Sequence, residues 1–352
     1  MVQRADVVVI GAGAMGSATA WWLARQGVDV VLVDQFEQGH GLGSSHGGAR
    51  IFRLAYPDPA YVRLAQEALP LWRELEDDAG ATLLDITGAV DHGDPASIDA
   101  VAAGLAAGGA AHERLSAKEA TARWPGMRFA GEVLFHPDGG RCRAGAAVCA
   151  LQDRAAAHGA DVRFGAGPAS LDIIDGGDRV EVRAPDADLV WQARVAVVTA
   201  GGWVGSVLAG VPAARALPTL TVTQEQVQHF APRQPGDWPS FIHHRQPWTY
   251  GLLAPGEGVK VGEHHVGPVI DADRRVPRDA NAEATIVRYV EEWFPGLDPT
   301  PVHTAECLYT TTPDESFVLE RVGPVVVGSP CSGHGFKFTP AIGRRLAKMA
   351  GL

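Results

Sequence analysis

Hydrophobic and polar positions along the N-terminal segment follow a strand, turn, helix, strand order. Residues 7–10 (VVVI) are a short apolar run of β-branched side chains, the mark of a buried strand. It runs into Gly11-Ala12-Gly13-Ala14-Met15-Gly16. The spacing then predicts a helix over 17–26, capped by Gly27, and a second strand over 28–33 that closes on Asp34. Between 59 and 78, Val62, Ala65, Leu69, Trp72 and Leu75 recur at helical spacing, and Pro70 beside that face is expected to kink or split the helix. Past about residue 85 short strands, glycine turns and charged helices take over. Residues 195–199 repeat the opening theme, an apolar run entering Ala200-Gly201-Gly202-Trp203. Residues 217–302 are β-rich, and a strand over 325–327 and the turn Gly333-His334-Gly335 lead to a last helix over 341–349.

This order predicts an α/β fold with an α+β insert. A Rossmann-like dinucleotide domain is expected from 1–85, 140–216 and 301–352, with a mainly antiparallel β-sheet substrate lobe from 86–139 and 217–300. A length of 352 residues suits two such units. The 30 Lys+Arg against 41 Asp+Glu give a net charge of −11, which argues against a nucleic-acid or anionic-membrane partner. Apolar runs stay strand-sized, and neither a secretory signal nor a spanning segment is read. The four cysteines form no disulfide framework and no CxxC metal site, which points to a reducing, cytoplasmic compartment. Cys142 and Cys149 are expected to share a helix face in the core, with Cys331 structural. No metal is expected from the spacing of the 13 histidines, and His229, His243, His244 and His303 read as surface or loop residues.

Gly11-x-Gly13-x-x-Gly16 sits between strand and helix, where its chemistry requires it. The glycines allow a tight turn, close approach of backbone to a pyrophosphate, and close helix–strand packing. The helix that follows aims free N–H groups at the phosphates. Asp34, 23 residues after Gly11, is placed to accept from ribose hydroxyls. The motif alone does not separate FAD from NAD. Three further segments carry convergent polar chemistry: 43–53, with His46, Arg50 and Arg53; 306–315, with Cys307 and Tyr309; and 331–338, with Lys337.

In chain order, GxGxxG, SSHGGARIFRLAY, ALPLWRELE, VVTAGGWVG, VKVGEHH, ECLYTTTPDE and SGHGFKF span nearly the whole sequence. Together they resemble the monomeric sarcosine oxidase family of D-amino-acid-oxidase-like flavoproteins, which includes N-methyltryptophan oxidase and pipecolate oxidase. The resemblance implies a monomeric FAD enzyme whose flavin is joined through its 8α-methyl group to a cysteine thioether, here at Cys307. It implies that Arg53 and Lys337 bind the carboxylate of an amino-acid substrate, one as a fork and one as a point charge. Arg50, Ser45 and His46 are expected against the cofactor, with Gly333 and Gly335 in the turn beside it. Lys260 matches a lysine that activates dioxygen; Tyr250 and His264, with Tyr309 as a lesser candidate, match the wall of the amine site.

The activity implied is oxidation of a secondary amine, sarcosine or another N-methyl amino acid, to an imine, with O2 reduced to H2O2. A cyclic imino acid is the alternative substrate. An electron-transferring flavoprotein subunit and an NAD dehydrogenase are rivals of other classes. Ala49 departs from the family pattern, standing where relatives often carry a hydroxyl residue, and the resemblance leads one to expect a further polar tail past the last helix and Leu352.

Overall fold

The computed structural model describes residues 2–351. Among these, two eight-stranded sheets and one three-stranded sheet form. In the first sheet, Val2–Ile10 lies parallel between Leu189–Val198 and Val30–Val33, with Asp161–Arg163 beyond one neighbour and Val325–Ser329 beyond the other. Val7, Val8 and Val9 are fully buried because helices cover the sheet. Ala14–Arg25, Ala144–Ala157 and Thr339–Ala350 pack into one core with Trp21, Trp72 and Phe338. Ser170–Ile174 and Arg179–Ala184 extend the sheet as an antiparallel meander. The architecture is the α/β fold that the alternation of elements implies.

The second sheet runs in the order Leu297–Thr311, Thr221–Pro232, Gly258–Glu263, Thr249–Ala254, Ser240–His244, Ala89–Gly93, Glu132–His136, Glu113–Ser116. Its pairs are antiparallel except Ser240–His244 with Ala89–Gly93. Arg50–Phe52, Gly140–Cys142 and Leu84–Ile86 make the small sheet. No helix of the described residues is long and apolar enough to cross a membrane.

Several local expectations change. The helix Pro59–Ala79 runs without interruption through Pro70, which lies on its exposed side, so the forfeited hydrogen bond is within reach of water. Asp58 accepts from the Ala60 N–H at its start and Gly80, with φ of 64°, closes it. Residues 301–311 belong to the second sheet and not to the dinucleotide sheet, because Leu297–Thr311 pairs along its length with Thr221–Pro232. No glycine breaks that run; the turn comes only at Thr312-Pro313-Asp314. Cys142 ends a strand while Cys149 sits on a helix, so the two share no helix face. His229, His243 and His244 are buried on strands, and His303 alone of that group is exposed.

Candidate active site

A cavity of about 1220 Å³ runs between the two large sheets, from the glycine turn at one end to an aromatic chamber at the other. At the first end Gly11 has φ of 99°. A Cβ on Gly16 would fall 1.9 Å from the Gly11 carbonyl oxygen, and one on Gly13 would crowd Ser45 Oγ at 3.2 Å. The turn therefore has to be glycine for backbone to lie open to the cavity. Asp34 ends its strand with one carboxylate oxygen accepting from the Ala12 N–H at 2.6 Å and the other from the Phe36 N–H at 2.9 Å. The Ala14 N–H donates to Ser45 Oγ at 3.1 Å. Gln152, unremarkable in the sequence, is buried and donates to the Ala12 carbonyl at 2.7 Å, bracing the turn from behind.

The middle of the cavity gathers positive charge. Lys260 Nζ donates to the Ala49 carbonyl at 2.6 Å, and Arg50 donates to the same carbonyl and to that of Ser44, each at 3.0 Å. The missing hydroxyl at Ala49 is thus immaterial to these cations, which the backbone holds. Burial, and then the Arg50 charge, push Lys260 well below the usual lysine range. Burial, then Arg50 and Lys260, lower His46 to about 4, and its Nε2 is buried with no partner in the protein. Cys307 lines the wall between them; burial raises its thiol, opposed by Arg50 and Lys260. Ser44 Oγ donates to the Leu308 carbonyl at 2.6 Å and ties the glycine-rich segment to that strand.

At the far end Lys337 Nζ donates to the Tyr56 hydroxyl at 2.8 Å and to the His334 carbonyl at 2.6 Å. Burial and the Arg53 charge hold it well below the usual lysine range. Arg53 lies 4.3 Å over the Tyr56 ring, donates to the Ala55 carbonyl, and approaches Asp91 at 3.9 Å. Tyr309 donates to Tyr250 at 3.2 Å, and burial pushes both phenols above their usual range. His264 stands across Tyr250, with ring centroids 6.3 Å apart, and stacks on Trp248. Burial, His265, Arg53 and Lys337 lower His264 to about 3. His264 lines the cavity and His265 does not.

A Cβ on Gly333 would strike the Tyr309 ring at 2.4 Å, and one on Gly335 would meet the Pro330 carbonyl at 1.6 Å. Both glycines shape the turn that presents Lys337. Among the described residues, His264, His265 and Glu315 each bring a ligand atom within 4.8 Å of the others. The sequence hides that grouping because Glu315 arrives from a distant turn.

The structure collects Gly11, Gly13, Asp34, Ser45 and His46, then Arg50, Lys260 and Cys307, then Arg53, Tyr250, His264, Tyr309, Gly333, Gly335 and Lys337 along this one cavity, while Gly16 packs against Gly11 and Thr199 off its lining. It adds Tyr56, Trp248, Gln152 and His244 to the lining, with Asp91 buried against His244. Trp72 carried a legible signal, its place on the helical face, and its Nε1 donates to the Lys337 carbonyl at 2.8 Å. Asp91 and His244 had none, since each acquires its partner only by pairing of distant strands.

A glycine cradle that leads into a buried, cationic, aromatic-walled chamber is the arrangement expected of a flavin-dependent amine oxidoreductase. The family assignment is direct: residues 6–349 match the FAD dependent oxidoreductase (DAO) family, and the chain belongs to it. Human peroxisomal sarcosine oxidase is 33% identical, over 98% of this chain and 92% of the relative. Monomeric sarcosine oxidase of Bacillus sp. (strain NS-129) is 31% identical, over 99% and 94%. Among solved structures, the open form of NikD, described as an unusual amino acid oxidase essential for nikkomycin biosynthesis, superposes with a TM-score of 0.87 at 27% identity, covering 99% of this chain and 94% of that one. The residues present fit FAD: the cradle admits backbone alone, and His46, with a buried unpartnered nitrogen, lines the cavity together with Arg50 and Lys260.

Proposed function

We propose that the chain oxidises sarcosine or another N-methyl amino acid, acting as a monomer with dioxygen as electron acceptor. One observation carries this reading. Arg53 and Lys337 are both buried and converge on Tyr56, yet among the described residues the one carboxylate within 4 Å of either is Asp91, on the Arg53 side. Two cations against one anion leave a positive charge for a ligand carboxylate, and burial makes that pairing strong. The names of the relatives favour N-methyl amino acids over a cyclic imino acid.

When bound, FAD supplies the two-electron acceptor for the C–H bond beside the amine nitrogen. Arg53 and Lys337 hold the substrate carboxylate, and Tyr250, Tyr309 and His264 wall the amine and exclude water. His264, lowered to about 3, stays neutral there and adds no charge against the amine. Lys260 serves the dioxygen side, where its ammonium form favours the negative charge that develops on O2. Hydrolysis of the imine gives glycine and formaldehyde from sarcosine, with hydrogen peroxide as the second product. Cys307 is assigned the 8α thioether; its place in the cavity wall beside Arg50 and Lys260 supports that role.

Anaerobic mixing of the purified protein with sarcosine, other N-methyl amino acids, proline and pipecolate tests the reading. Sarcosine or an N-methyl amino acid is expected to bleach the flavin, and air to restore it with peroxide. Bleaching by none of them rejects it. Acid precipitation tests the tether: a yellow pellet that becomes colourless in Cys307→Ser supports it, and a colourless wild-type pellet rejects it.

A further inference from the structure

An amino acid's secondary amine carries a proton at neutral pH, and its lone pair must be free before the neighbouring C–H bond can give up its electrons. A proton acceptor facing the amine is therefore useful, and most cavity histidines are poor ones. His264 is lowered to about 3, His46 and His229 to about 4, each first by burial, and none has a buried carboxylate partner. His244 differs.

Its Nε2 lies 2.8 Å from Asp91 Oδ1, and both side chains are buried. Its Nδ1 is buried with no partner, and the residue lines the cavity with Trp248 and Tyr250. The arrangement follows from strand pairing. Parallel register sets His243 beside His92 and places Asp91 opposite Ile242, diagonal to His244. Alternation sends His243 toward His92 and Tyr289, and His244 toward Asp91 and the cavity. The same Asp91 oxygen is 3.9 Å from Arg53, so one carboxylate joins the carboxylate clamp to the free imidazole nitrogen. Burial opposes ionisation of Asp91, but the His244 bond and the His244, Arg53 and His136 charges outweigh it and hold the carboxyl below its usual range. An ionised Asp91 fixes the tautomer with the proton on Nε2, leaving a lone pair on Nδ1.

We propose that His244 is a catalytic residue that takes the proton of the substrate amine at Nδ1, with Asp91 as its positioning residue. The inference rests on the amine-oxidation reading above. The ammonium N–H bond breaks, its proton goes to Nδ1, and the electron pair stays on nitrogen. Bound FAD would supply the acceptor for the C–H hydrogen and its two electrons, and the freed nitrogen pair would then close the C=N bond. The imidazolium that remains is stabilised by Asp91. The other ionisable groups facing His244 are His92 and Asp94 beside Asp91, His136 from Glu132–His136, Arg53, and His243 on its own strand.

The test is the pH profile of anaerobic flavin reduction by sarcosine in the holoenzyme, with His244→Asn and Asp91→Asn. Loss of a positioned proton acceptor is expected to cost about 100-fold at neutral pH in His244→Asn, with recovery toward the alkaline range where the free amine is already neutral. Asp91→Asn is expected to lose about tenfold in the same direction, as weaker support of the imidazole allows. Binding of acetate, read from the flavin spectrum, should be unchanged in His244→Asn. A profile that superimposes on wild type, or a loss uniform across pH, overturns the proposal. If His244→Asn does not retain flavin, Asp91→Asn decides by the same criterion. Failure of every amine to reduce the wild-type flavin instead rejects the reading beneath it, and the proposal with it.

Discussion

The two ends of the cavity are built on opposite principles. At the glycine turn the binding surface is backbone. Gly11, Gly13 and Gly16 lie within one strand-to-helix turn, and Asp34 reaches Ala12 through its strand's immediate neighbour. At the other end the surface is side chains, drawn from stretches far apart in the chain. Arg53, Tyr309 and Lys337 arrive from three distant stretches and His244, Tyr250 and His264 from one meander of successive strands, with Asp91 buried against His244. A backbone site tolerates almost no change of residue but leaves a compact signature; a side-chain site is open to variation and leaves a scattered one.

Breaking each end should show this asymmetry. The largest effect is expected of Gly16→Ala, whose Cβ would sit 1.9 Å from backbone oxygen that cannot move without opening the turn. Loss of more than about 4 kcal/mol and of nearly all bound flavin is expected, read by thermal unfolding and flavin absorbance. Next comes Arg53→Met, which removes half of the clamp. It should lower kcat/KM for sarcosine by about 100-fold through loss of charged hydrogen bonds, while flavin content stays normal. An equal loss of flavin would show that the two ends are not independent.

A pH prediction sharpens the amine end further. Lys337 is held well below the usual lysine range, so it carries charge only below its own lowered pKa and loses it as pH rises through that value. KM for a carboxylate substrate should therefore rise on the alkaline side well before ordinary lysines titrate. Lys337→Arg, which cannot lose its proton, should flatten that limb. The smallest effect is expected of Gln152→Leu. Removing the donor to the Ala12 carbonyl should cost about 1 kcal/mol of stability, with a few-fold weaker hold on flavin where it is not tethered, measured by urea unfolding and flavin release in the Cys307→Ser background.

Legibility along the chain followed the range of the interactions. The opening strand, turn, helix and strand were readable because each signal is complete within a few residues. The helix is not split at Pro70 for a local reason: proline's cost depends on which side of the helix it falls, and Pro70 falls on the exposed one. Residues 301–311 were assigned to the wrong sheet because a strand's partner is not written in its own residues. The buried histidines were misread for the same reason. Nothing in FIHH distinguishes a loop from a strand whose alternate side chains face a carboxylate and a tyrosine.

The sequence by itself determined the glycine turn and the kinds of residue along the cavity, because turn geometry and residue chemistry are local properties. Tertiary structure alone decided which charges are paired. It set Asp91 against both Arg53 and His244, left Lys337 with only neutral partners, and withdrew these groups from water. Proton affinity and charge complementarity depend on burial and on neighbours brought from distant strands, and those exist only once the sheets have paired.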